Sequence, residues 1–127
     1  MKIDCSHKLE SYKGKCFNLH GHTYNVFVLK NFPVKLPENN MIVDFKKLKE
    51  EKTLTRVHEE IENAFDHSHL NQTLNTKDPT AEYMAKRIYD KFLRDKFTGD
   101  YAVMVMETDN SVAIYDGITF WLSASKK

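Results

Sequence analysis

At 127 residues the chain has the length of one domain, enough to bury roughly two-thirds of the surface its unfolded form exposes. Hydrophobic residues make up 41% and charged ones 29%, the balance of an ordinary globular protein rather than a disordered one. Nineteen basic residues against eighteen acidic ones leave a net charge of +1, and no stretch concentrates the positive charge as a nucleic-acid footprint would.

The longest purely apolar run, near Tyr101 to Met106, is far too short for a membrane span, and the N-terminus lacks the apolar core of a signal peptide. Two cysteines, Cys5 and Cys16, differ in setting and make no disulfide framework, so the expectation is a cytoplasmic protein with reduced thiols. Neither a nucleic-acid nor a membrane partner is expected.

In chain order, Met1 to Leu9 reads as a short strand with Ile3, Cys5, His7 and Leu9 on one face. Glu10 to Lys15, containing Gly14, is a turn, so the first two strands form a hairpin. The second strand, about Leu19 to Lys30, alternates His20, His22, Tyr24, Val26 and Val28 against Gly21, Thr23, Asn25, Phe27 and Leu29. A period of two places His20 and His22 on one face, roughly 6.5 to 7 Å apart along the strand. That is a workable bite for one metal ion, and His7 on the neighbouring strand is the candidate third ligand. On spacing alone, a His-x-His pair is more often structural. Cys16, four residues before His20, is open to two readings: a thiol acidified beside a metal, or a small buried hydrophobe.

Asn31 to Asn40, with Pro33 and Pro37, is a loop. Asp44 is an N-cap, and Phe45, Leu48, Val57, Ile61 and Phe65 recur at helical spacing, giving one helix that ends near Asn63 to Phe65. The run D-H-S-H-L-N, Asp66 to Asn71, is a hydrogen-bonded turn or a place where Asp66 orients His67 for proton transfer. Thr80 caps a second helix with Met84, Ile88 and Phe92 on its buried stripe, and Gly99 lies in the turn that leaves it. Tyr101 to Glu107 and Val112 to Leu122 are two strands joined by T-D-N-S. Glu107, a carboxylate at the end of an apolar strand, needs a partner: a basic group, a hydrogen-bond network or a ligand. Its two oxygens suit a planar edge bearing adjacent N–H donors.

His7, C-F-N-L-H-G-H, M-I-V-D-F, D-H-S-H-L-N, P-T-A-E and M-E-T follow one another in register from residue 7 to Tyr115. Together they resemble the 6-pyruvoyltetrahydropterin synthase and 6-carboxytetrahydropterin synthase family. The resemblance implies a single α+β domain over residues 1–127 with the T-fold: a four-stranded antiparallel sheet with two helices inserted between strands 2 and 3, order ββααββ. It implies homo-oligomers, trimers or dimers of trimers that reach a homohexamer, with active sites between subunits. It implies Zn2+ on His7, His20 and His22, a catalytic Cys16 with Asp66 and His67 as its proton relay, and pterin contacts at Glu107 and Thr108. The implied enzyme is a lyase acting on 7,8-dihydroneopterin triphosphate. In the carboxy branch, which the compact length and short N-terminus resemble more, it releases triphosphate and acetaldehyde and leaves 6-carboxytetrahydropterin, on the route to queuosine. The pyruvoyl branch stops before side-chain cleavage. A catalytically idle pterin-binding T-fold protein is the rival from another class.

Overall fold

The computed structural model describes residues 1–11, 19–94 and 100–126. The expected turn at Gly14, the thiol of Cys16 and the turn at Gly99 lie outside them. The described elements run β1 (Lys2–His7), β2 (His20–Lys30), α1 (Phe45–Lys49), α2 (Lys52–Phe65), β3 (Ser68–His69), α3 (Leu70–Thr73), α4 (Ala81–Phe92), β4 (Tyr101–Thr108), β5 (Ser111–Tyr115) and β6 (Phe120–Ala124).

The fold is α+β, but the sheet has six strands rather than four, in the order β3-β1-β2-β4-β5-β6, and the described residues form four helical segments rather than two. Each difference has a local cause. Helix formation does not run through from Asp44 to Phe65, because the Glu51 carboxylate accepts from the backbone N–H groups of Thr53 and Leu54 and so starts α2 afresh. Asp44 caps α1 as expected, accepting from Lys46 N–H. The turn after α2 becomes a strand where His67 N–H donates to Asp4 O and Ser68–His69 pair parallel to Cys5–Ser6. The last strand breaks in two at Asp116, whose side chain accepts from the N–H groups of Ile118 and Thr119.

The central strand is β2, paired antiparallel with β1 on one side and with β4 on the other. Its alternation sends Tyr24, Val26 and Val28 into the core, where Ile3 of β1 and Val103 and Val105 of β4 join them. Two amphipathic helices cover this face. The α2 stripe Leu54, Val57, Ile61 and Phe65 packs toward β1 and β2. The α4 stripe Ala81, Met84, Ala85, Ile88 and Tyr89, started by Thr80 accepting from Tyr83 N–H, packs on β4 and β5. No described helix is long and apolar enough to cross a membrane.

Gly117 closes the β5–β6 turn at φ +96, directly over the Tyr89 ring. A Cβ there would stand 2.6 Å from Tyr89 Oη. Gly117→Ala combines this overlap with a left-handed backbone, so thermal unfolding should show a loss of about 1–3 kcal/mol. An unchanged melting temperature would mean that the turn re-forms without touching Tyr89.

Candidate metal centre

In the β1–β2 register His7 stands opposite His20 and Cys5 opposite His22. Directly opposed residues share a face, so all three imidazoles project on the helix-covered side. Their ring centroids lie 4.5 Å (His7–His20), 4.6 Å (His20–His22) and 4.9 Å (His7–His22) apart. One nitrogen from each lies within 4.8 Å of the others. Three nitrogens around a tetrahedral zinc at ordinary bond lengths are separated by about 3.3 Å, so small side-chain adjustments close the site.

The donor chemistry fits such an ion. His7 is only 2% exposed, and the Nε2 atoms of His7 and His22 are buried without a hydrogen-bond partner among the described residues. An orphaned buried polar nitrogen costs on the order of 1–3 kcal/mol unless something takes its lone pair. Burial, and next the neighbouring imidazoles of His20 and His22, push the His7 pKa down to about 4. Burial also lowers His22, against the opposing pull of the Glu107 carboxylate. Near neutral pH both are therefore uncharged, as ligation requires.

Glu107 joins this group from β4. The β4–β5 register shifts between Met106 and Thr108, and Glu107 Oε1 comes within 3.4 Å of His22 Nε2. Glu107 also lines a cavity of about 390 Å³ with Ala81 and Glu82 from the start of α4 and with Val112 and Ala113 of β5. The site therefore offers three ligating nitrogens, a carboxylate beside them, and space next to that carboxylate. Thr108 is exposed, and its hydroxyl accepts from Asn110 N–H in the β4–β5 turn.

Asp66 and His67 are placed elsewhere. Asp66 Oδ1 accepts from Asp4 N–H at 2.9 Å, and Oδ2 stands 3.5 Å from Nε2 of His67, whose side chain is 80% exposed. His67 opens into a concavity lined also by Asp4, Cys5, Ser6, His22, Thr23 and His69. Asp4, Ser6 and Thr23 alternate with Cys5, His7 and His22, so the side chains of these three lie on the sheet face opposite the imidazole trio. Within one chain the structure brings Glu107 to the trio, and Asp66 and His67 are not part of the cluster of ligand atoms. Cys5 is buried on the trio's side but outside the ligand-atom cluster, and burial, then the carboxylates of Asp66 and Asp4, push its thiol up to about 12. It is an inert packing thiol. One contributor was missed in the sequence: Tyr24, fully buried, whose hydroxyl is hydrogen-bonded to His7 Nδ1. The signal was available, since Tyr24 falls on the same strand face as His22.

Three imidazoles on the covered face of a mixed sheet, with a carboxylate and a cavity alongside, define an α+β protein with a candidate metal site for small-molecule chemistry. Residues 1–118 match the family model described as 6-pyruvoyl tetrahydropterin synthase, and the chain belongs to that family, whose members are enzymes acting on small pterins. It is 32% identical over 116 residues to a 6-carboxy-5,6,7,8-tetrahydropterin synthase of Synechocystis sp., covering 89% of this chain and 86% of the relative. A putative 6-carboxy-5,6,7,8-tetrahydropterin synthase of Archaeoglobus fulgidus is 32% identical over 111 residues, 87% of this chain and 86% of the relative. A 6-carboxy-5,6,7,8-tetrahydropterin synthase of Haemophilus influenzae is 28% identical over 133 residues, 89% of this chain and 92% of the relative.

Proposed function

We propose that this chain is a zinc-dependent 6-carboxy-5,6,7,8-tetrahydropterin synthase, a cytoplasmic lyase acting on 7,8-dihydroneopterin triphosphate. The observation that carries the reading is the convergence of His7, His20 and His22 with Glu107 at His22; the names of the relatives point the same way. Zinc on the three imidazoles would supply Lewis acidity toward the hydroxyls of the substrate side chain. Glu107 accepts from the 2-amino and N3–H edge of the pterin and fixes the ring. Thr108 adds a further ring contact. Cys16 moves protons on the side chain, with His67 held by Asp66 as its relay. Triphosphate is eliminated, one water is consumed as the side chain is cleaved between its two carbonyl carbons, and acetaldehyde leaves with 6-carboxytetrahydropterin as the product, an intermediate toward queuosine.

The placement of His67, largely exposed and outside the imidazole cluster, supports an active site shared between subunits, to which a neighbouring copy brings its own relay. A homo-oligomer, a trimer or a hexamer of two trimers, also accounts for Trp121 and Leu122, which stand 60% and 63% exposed on the β6 edge strand.

Incubating zinc-loaded protein with 7,8-dihydroneopterin triphosphate and identifying products by mass spectrometry, with acetaldehyde assayed alongside, tests the reading. A 6-carboxy product with acetaldehyde is expected. A pyruvoyl product without acetaldehyde would move the chain to the other branch of its family, and no turnover by a zinc-loaded oligomer would make it an idle pterin binder.

A further inference from the structure

We infer that Tyr24 is a positioning residue that decides which nitrogen His7 offers to the metal; the inference rests on the metal reading above. Tyr24 follows His22 by two residues on β2 and shares its face. It is wholly buried, and its ring lies over the site, with its centroid 5.6 Å from that of His22 and 6.0 Å from that of His7. The hydroxyl meets His7 at Nδ1, while His7 Nε2 is buried without a partner among the described residues.

A neutral imidazole carries one N–H and one lone pair, on different nitrogens. A lone pair at Nδ1 would be engaged by the tyrosine hydroxyl, and the proton would then sit on Nε2 and point a donor at the cation. With the proton on Nδ1, that N–H donates to Tyr24 Oη and the Nε2 lone pair faces the site. Only the second arrangement satisfies both nitrogens when a metal is held. Tyr24 therefore fixes both the tautomer and the ring orientation of His7, the work that a partner on the non-ligating nitrogen does at metal sites generally. The partner here is a phenol buried in the core, so it orients His7 without placing a second carboxylate beside the trio.

Tyr24→Phe removes one oxygen and keeps the packed ring. The zinc dissociation constant, measured by competition with a chromogenic chelator, should rise about 10- to 100-fold, with secondary structure and oligomer size unchanged. Long-range 1H–15N spectra of the zinc-loaded wild type should show His7 metallated at Nε2 with a slowly exchanging proton on Nδ1. In the variant that proton should exchange rapidly. An unaltered zinc affinity in a folded variant, or zinc on Nδ1 of His7 in the wild type, would overturn the inference. If the variant does not fold, the wild-type spectrum decides by itself. A wild type that takes up no zinc would sink the metal reading and this inference with it, whereas equal zinc affinity in both proteins would sink only the role of Tyr24.

Discussion

Turnover of 7,8-dihydroneopterin triphosphate is expected to fall on the order of a thousandfold in Cys16→Ala, while zinc stoichiometry and oligomer size remain those of the wild type. A positioned group that gives and takes protons contributes about 10²–10⁴ in rate. The chain has only two cysteines, and Cys5 is held protonated by burial and by the carboxylates of Asp66 and Asp4. A thiol that reacts with iodoacetamide near neutral pH should therefore be Cys16, and its modification should track the loss of activity. Loss of zinc along with turnover would make Cys16 a ligand. Full activity in Cys16→Ala would transfer the proton chemistry to other groups and remove the proposed relay.

Much of the imidazole trio was legible because strand periodicity is a strict geometric rule: a period of two fixes the face of His20 and His22, and hairpin pairing then brings His7 opposite His20. Caps were legible for the same reason, since Asp44 and Thr80 act on N–H groups two or three residues away. The two-residue β3 was not, because it exists only through pairing with β1, a contact between segments about sixty residues apart. The break between β5 and β6 carried an unused signal in Asp116-Gly117, a dipeptide suited to a tight turn. The break between α1 and α2 falls where the apolar pattern lapses, between Leu48 and Leu54, and the helical spacing resumes beyond it. Glu50 closes α1 through its backbone and the Glu51 side chain starts α2. At the site, Glu107 needed a partner by burial arguments alone, but that its carboxylate comes to stand beside the imidazole of His22 is a tertiary fact.

That contact sets up the second large effect. Glu107→Gln is expected to weaken binding of a non-reacting pterin by about 3 kcal/mol, roughly a hundredfold in Kd, with zinc content unchanged. A carboxylate presents two acceptors to the paired N–H donors of a pterin edge, whereas glutamine presents one acceptor and one donor and sets N–H against N–H. The cost is the lost charge-assisted bond together with a substrate donor left unpaired in a closed site. Quenching of pterin fluorescence on titration with protein would measure the affinity, and metal analysis of the same samples would measure zinc. Glu107 stands against His22 as well as beside the cavity, so the two readouts separate its possible roles. Weaker pterin binding at full zinc occupancy means that the carboxylate serves the substrate. Loss of zinc with pterin affinity retained would mean that its work is to hold His22, and the pterin anchor would have to be sought elsewhere in the cavity, beginning with Glu82 at the start of α4.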